Sequence, residues 1–399
     1  MGQTICRVIV GGRTVEEIES FDYSSSVMAI AEEAHFTVIN KNGKYTPYLR
    51  LGETVEFELQ NAAINGGAPT VRHRGRIVRR TPSMSSSGDT IAIVSADLGW
   101  HLQNSHLPLW ANLQNITYAD LCDPATSPLI DKSWGFKGLR FEGDSRRRLK
   151  LGVAAAAAAA NRVLDPVHRI QAEAGEASAE KITEYCKRLN LLLNVSPDGY
   201  IQCFRPNDTQ APLYTLRGNS DGIGNNMIDA NIVEDARTLW TEVICVGDQI
   251  GYEGSQDPNN PNASKKRGKV SHPGNLPFMH RKTFADGEMF LGGLAQKTAE
   301  WAYKRGVFDA WVMTVRLAEH HDGRNWYESD TVADTESDRL GVFGHFYVES
   351  VHCSGSKTSA DETTMILRKP GLLSASFGEY PNPPIYRASG VSGAPVASP

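Results

Sequence analysis

Thr54-Val55-Glu56-Phe57-Glu58-Leu59 carries an apolar side chain at every second position, Val55, Phe57 and Leu59, with Glu56 and Glu58 between them. Period two marks a strand with one face buried and the other in water. Working outward, Cys6–Val10, Phe36–Ile39 and Ile91–Val94 are further short apolar stretches. Turn signals separate them: Gly11-Gly12, Asn42-Gly43, Gly66-Gly67 and Ser87-Gly88-Asp89. Many short strands with frequent turns predict a small barrel or sandwich in the first hundred residues.

The middle third changes character. Trp100–Leu121 is rich in Leu, Asn and Trp and ends in a candidate short helix, and Pro124–Pro128 reads as a loop. Ala154–Ala160 are consecutive alanines. A helix is the simple reading, because alanine is the best helix former; unassigned side chains written as alanine are the other reading. Ser178–Leu189 is a better helix, with Ser178 as N-cap and Ile182, Cys186 and Leu189 at helical spacing. Leu191–Val195 and Tyr200–Phe204 read as strands joined by the turn Ser196-Pro197-Asp198-Gly199.

The last third returns to strands. Trp240–Val246, Ala310–Leu317, Gly344–Val351 and Thr363–Leu367 are the candidates. Asp257–Gly274, with its proline, asparagine, lysine and glycine, predicts a long exposed loop. Asp286–Arg305 predicts a helix with Phe290, Leu294, Trp301 and Ala302 on one face. After Pro370 the composition shifts to Gly, Pro, Ser and Ala, which predicts an extended or disordered arm.

With 399 residues, and roughly 100–200 residues per domain, the chain has room for about two to four domains. The net charge of −5 argues against a protein that grips DNA by its phosphates, and does not oppose a channel through which DNA slides. Cys6, Cys122, Cys186, Cys203, Cys245 and Cys353 are scattered without a C-x-x-C pair, so spacing supports neither a zinc site nor a redox motif. They are read as buried small hydrophobes. The opening MGQTICRVIV lacks the features of a signal peptide. No apolar run reaches the ~20 residues that span a membrane, so no membrane anchor is expected.

Chemistry-bearing motifs are scarce. No P-loop, G-x-S-x-G or H-E-x-x-H occurs. Gly218–Asn226 resembles a glycine-rich binding loop but fits neither the dinucleotide nor the calcium pattern, and a surface loop is expected. His320-His321-Asp322 is expected at a hairpin turn, because neighbouring side chains on a strand point to opposite faces. No cofactor, metal or catalytic residue is assigned.

Arg72, Arg74 and Arg76 recur at every second position, followed by Arg79 and Arg80. On a strand the first three would line one face. Two readings stand: a solvated outer face, or an electrostatic subunit interface against an acidic neighbour. Arg146-Arg147-Arg148 has the same two readings.

The order of these features resembles the Mu-like tail protein P family, the baseplate hubs of contractile phage tails. Val8-Ile9-Val10-Gly11-Gly12-Arg13 is similar to the family's first strand and turn, and Thr70–Asp97 to the end of its first barrel. Gly175–Arg205 is similar to its central unit, and Trp240–Gln249 to the strand opening the second barrel. Ala299-Glu300-Trp301, the following strand, Asp322-Gly323 and Trp326 resemble the closing pattern.

The resemblance implies a mainly β fold with α+β parts: two small β-barrel tube-type domains, residues 1–99 and 240–375, linked by an α/β middle region, 100–239, with an extended C-terminal arm, 376–399. It implies a homotrimeric ring joining a six-fold tail tube, or tube-initiator protein, to a three-fold spike. Wedge proteins would surround the ring and DNA would pass through its lumen. It places the chain in the virion, without catalysis. The alternatives are a tail-associated peptidoglycan or polysaccharide hydrolase, which needs a carboxylate pair that nothing in the sequence selects, and a carbohydrate-binding module, for which Trp100, Trp110 and Trp134 are the candidates.

Overall fold

The computed structural model describes residues 4–372 apart from 87, 107–110, 117–120, 142–166, 173–174, 189–190, 248–266 and 287–291. The alanine run, Arg146-Arg147-Arg148, Trp110 and the C-terminal arm lie outside the described residues. The first hundred residues supply β1 (Ile5–Val10), β2 (Arg13–Val15), β3 (Ile18–Ser26), β4 (Glu33–Ile39), β5 (Thr54–Gln60), β6 (Thr70–Ser85) and β7 (Gly88–Ala96). In β5 the expected alternation holds: Val55, Phe57 and Leu59 are buried and Glu56 and Glu58 lie between inside and water. Neighbouring strands pair antiparallel in the order β3-β4-β7-β6-β5-β1-β2.

The middle of the chain carries α1 (Gly99–Asn104), β8 (Ala111–Ile116), β9 (Gly138–Phe141), β10 (Val167–Ala172), α2 (Ser178–Arg188), β11 (Leu192–Val195) and β12 (Tyr200–Phe204). The β11–β12 hairpin turns where Ser196-Pro197-Asp198-Gly199 predicts it. Gly199, at φ +86°, returns its N–H to Ser196 O over 2.8 Å. That positive φ is why glycine ends the turn. β12 also pairs in parallel with β9. The hydroxyl of Ser178, expected to cap the helix, donates to the Leu129 carbonyl and ties the start of α2 to the preceding loop.

The remaining strands are β13 (Tyr214–Arg217), β14 (Met227–Glu234), β15 (Glu242–Gly247), β16 (Arg267–Ser271) and β17 (Arg281–Asp286), then α3 (Gly292–Asp309) and β18 (Trp311–Ala318), β19 (Thr331–Ser337), β20 (Val342–Ser356) and β21 (Glu362–Arg368). β16 lies inside the stretch expected to be loop, pinned by β15 on one side and by α3 above. At Gly268 a Cβ would collide with the Ala295 backbone, so glycine permits that close approach. The helix runs later than expected. Asp286 still belongs to β17, where it pairs with Gly247, and the helix continues past Arg305 to Asp309. Arg368 Nη1 donates to Phe308 O (3.1 Å) at the end of α3 and to Trp311 O (3.3 Å) at the start of β18.

β20 joins the two ends of the chain. Its first half, Val342–Val348, pairs with β19, and its second half, Ser350–Ser356, pairs with β3. Its other edge carries β21. The result is one 13-stranded sheet running β14-β18-β21-β20-β3-β4-β7-β6-β5-β1-β2, with β19 and β13 branching from β20. The C-terminal strands of this sheet come from two separated stretches: β13 and β14 before residue 240, and β18 to β21 after residue 310. Between them β15, β16 and β17 form a separate three-stranded sheet under α3. Among the described residues no pairing closes either run of strands on itself. The chain is thus mainly β, with smaller α/β parts between. No described helix is long and apolar enough to cross a membrane.

One apolar core serves both ends of the chain, with Phe21, Phe36 and Phe57 in the same cluster as Trp311, Phe346 and Leu367. Phe57 is central: its ring centroid lies 5.3 Å from Phe36, 5.4 Å from Phe21 and 5.8 Å from Tyr23. Phe57→Ala is expected to cost about 3–5 kcal/mol of stability. In urea unfolding this appears as a lower midpoint at an unchanged slope.

Candidate functional site

β6 carries the arginines, and its backbone decides where each one points. Phe57 pairs with His73 but Glu58 pairs with Val71, so Arg72 is an extra residue in a bulge. The bulge breaks the alternation. Arg72 turns inward and is 7% exposed, whereas Arg74 and Arg76 are exposed. A second irregularity between Ile77 and Arg79 leaves Arg79 exposed and Arg80 partly so. The five arginines therefore do not share one face. The outward group is Arg74, Arg76, Arg79 and Arg80.

Arg72 crosses to the C-terminal strands. Its Nη2 donates to Tyr327 O at 2.6 Å and its Nη1 meets Glu328 Oε1 at 2.8 Å. Burial opposes its charge, and Glu328 holds the guanidinium protonated. Around it lies a seam of buried polar groups between the two ends of the chain. His73 Nε2 meets Ser95 Oγ at 2.9 Å, and His320 Nδ1 meets Thr363 Oγ1 at 2.8 Å. Tyr214 Oη donates to Trp326 O at 2.9 Å. Burial holds both imidazoles neutral, with His73 and His320 each lowered to about 3; Arg72 and His321 add to the effect at His320.

The outward arginines make lighter contacts. Arg74 Nε meets Glu56 Oε2 at 2.8 Å, and its Nη1 reaches Asp198 Oδ1, in the β11–β12 turn, at 3.4 Å. Arg76 donates to Gly52 O at 3.0 Å and Arg80 to Thr46 O at 3.3 Å. These pairs sit in water and leave the cationic face available to a partner.

The other singled-out segments are local structure. His320-His321-Asp322 opens a tight turn, bridged from His321 to Trp326, with Asp322 N donating to Asn325 O at 3.2 Å. Gly218–Asn226 is an exposed loop held by its own amides: Asn219 N donates to Asn225 Oδ1 (3.0 Å), and Ser220 N to Asp338 Oδ1 (2.8 Å). Trp100 and Trp134 are half-buried around His101, and Trp134 stacks on that imidazole at 5.8 Å and 12°.

Sequence spacing missed one constellation. Cys122, Cys186 on α2 and Cys203 on β12 are buried, with their sulfur atoms all within 4.8 Å of one another. Cys186 Sγ lies 3.9 Å from Cys122 Sγ and 3.8 Å from Cys203 Sγ. Hydrogen bonding from Cys122, then Cys203, pulls Cys186 toward the thiolate, while its neighbours are pushed up as thiols. Residues 64 and 17 positions apart meet because the helical turn at Leu121-Cys122, α2 and β12 converge, and no local motif records that convergence.

No family model and no curated protein matches the sequence. Solved structures do match the fold, among them a tail protein, two prophage tail proteins and a Francisella PdpA-VgrG complex. The tail protein from Neisseria meningitidis MC58 superposes with a TM-score of 0.71 at 16% identity, over 93% of this chain and 98% of its own. The prophage MuSo2 43 kDa tail protein from Shewanella oneidensis gives 0.67 at 14%, over 92% and 98%. Prophage tail protein gp18 from Listeria monocytogenes EGD-e gives 0.53 at 11%, over 90% and 94%. At such identities the likeness is one of fold.

Two predictions separate the seam from the outward face. Arg72→Ala strands Glu328 and a buried carbonyl, and is expected to cost about 2–3 kcal/mol, against under about 1 kcal/mol for Arg74→Ala, by chemical denaturation. The second concerns pH. Buried His73 has a native value of about 3 against 6.5 in the open chain. Between these values the unfolded chain takes up a proton the native state refuses, so His73 lowers stability as pH falls through that window. His73→Gln is expected to flatten the acid side of the stability–pH curve, and an unchanged slope would contradict the assignment.

Proposed function

We propose that the chain is a structural baseplate hub of a contractile phage tail, placed in the virion and acting mechanically rather than catalytically. The observation that carries this reading is the extent of the fold likeness, which takes in 93% of this chain and 98% of the tail protein from Neisseria meningitidis MC58. In this reading three copies close a ring that joins the six-fold tube, or a tube initiator, to the three-fold spike. Wedge proteins surround the ring and DNA passes through its lumen.

The sheet supports ring closure. Its path ends at β14 on one side and β2 on the other, and an open strand edge is a template for pairing with another chain. On β14 the apolar side chains of Ile228 and Val233 are 48% and 54% exposed. A ring covers such edges. The outward Arg74, Arg76, Arg79 and Arg80 supply a charged seam for an acidic surface of a neighbouring subunit. The net charge of −5 suits a lumen through which DNA moves without sticking.

The test is mass in solution by light scattering, with negative-stain images of the same peak. The expected species is three times 43.7 kDa with a ring outline. Charge reversal of Arg74, Arg76, Arg79 and Arg80 to Glu is expected to shift that species toward monomer without unfolding it. A monomer at all concentrations, alone and with the spike protein, would contradict the hub.

A further inference from the structure

The structure assigns a thiophilic metal site to Cys122, Cys186 and Cys203, and we infer that its ion is soft, three-coordinate and of the Cu(I) class. This inference is independent of the tail reading. Three sulfur atoms are already gathered within 4.8 Å of one another. With metal–sulfur bonds of about 2.3 Å, neighbouring sulfurs are separated by about 3.8 Å in a tetrahedral site and about 4.0 Å in a trigonal one. The two distances from Cys186 are 3.9 and 3.8 Å, so little movement would be needed to seat an ion.

The donor set selects the ion. Soft thiolates favour Cu(I), zinc and iron–sulfur clusters over hard cations. A structural zinc takes four ligands, and among the described residues the group holds three, with no His, Asp or Glu joining it. The surrounding side chains, among them Leu102, Leu121, Ile182, Leu193 and Ile201, are buried and apolar. They exclude the water that would supply a fourth ligand and shield a Cu(I) centre from oxidation. On the same helix face, one turn before Cys186, Thr183 Oγ1 is buried with no hydrogen-bond partner. Its hydroxyl is a donor available to a bound thiolate.

On binding, each sulfur that becomes a thiolate releases its proton to solvent, and no electron is transferred. The ion would act as a staple. It would tie the helical turn at Cys122 to α2 and to β12 in a unit whose apolar core is small, where a metal substitutes for missing hydrophobic burial.

The experiment titrates the full chain, reduced and anaerobic, with Cu(I) delivered from a competing chelator and with Zn(II) in a parallel series. One Cu(I) per chain is expected, with a thiolate-to-metal charge-transfer band, an X-ray absorption shell of three sulfurs, tighter binding than Zn(II), and a raised Tm. Cys203→Ala and Cys122→Ser are each expected to abolish the band, and Cys6→Ser to leave it intact. Circular dichroism checks that the variants fold. If they do not, stoichiometry and the sulfur shell of the unaltered chain decide. The site is overturned by absence of uptake in the unaltered chain, by uptake that Cys6→Ser removes, by tighter binding of Zn(II), or by a Cys186–Cys203 disulfide in freshly isolated protein.

Discussion

Ser20–Ser26 pairs antiparallel with Ser350–Ser356, and through that ladder the strands of the first hundred residues and the C-terminal strands become one sheet. Ordering so long an intervening chain costs entropy, although the cost grows only slowly with loop length. Burial repays it: Phe21 and Tyr23 on one strand and Val351 and Cys353 on the other enter the same core. The middle segments must then fold outside the joint. α1 with β9, β11 and β12 forms one satellite core around α2, and β15 to β17 with α3 forms another. The two ends cannot move apart without breaking a shared core.

The joint is also held by polar groups that have few alternatives. Arg72 is buried beside Tyr327 O and Glu328, and its neighbours Tyr214, His73 and His320 are buried with it. Each makes at least one buried hydrogen bond, although Arg72 Nε, His73 Nδ1 and His320 Nε2 have no hydrogen-bond partner, and bonds made in a low-dielectric interior resist rearrangement because another packing would leave them unmade. The seam thereby fixes how the two sets of strands register. The outward arginines do not serve this purpose: their pairs are in water, and their value lies in what they present to a neighbour.

The sequence disclosed elements whose signal is local. The alternation of β5, the Ser196–Gly199 turn, and the apolar periods of β18 and β21 depend on neighbouring residues alone, and the structure has them where they were expected. Elements defined by distant partners were not legible. Met227–Glu234 lacks an alternating pattern because, as an edge strand, it is mostly exposed. The bulge at Arg72 is set by the register between two strands, so the arginine spacing alone could not reveal that one of the five is buried. β16 reads as loop because its Gly268 is chosen for the approach of α3 rather than for strand propensity. The three converging cysteines were invisible for the same reason, since spacing rules detect ligands only when they share a turn. The family resemblance, by contrast, rested on the order of elements, and that order matches the fold of the tail proteins.

The account rests on the two ends of the chain forming a single cooperative unit, and native-state hydrogen exchange of the amides in β3 and β20 tests it most directly. The prediction is that amides at Phe21, Tyr23, Val351 and Cys353 exchange only through the same global opening as those of β5 and β18, with one common free energy and one common denaturant dependence. If β18, β20 and β21 instead open at a distinctly lower free energy while β4 to β7 stay protected, the halves are independent domains and the shared sheet is not what holds this molecule together.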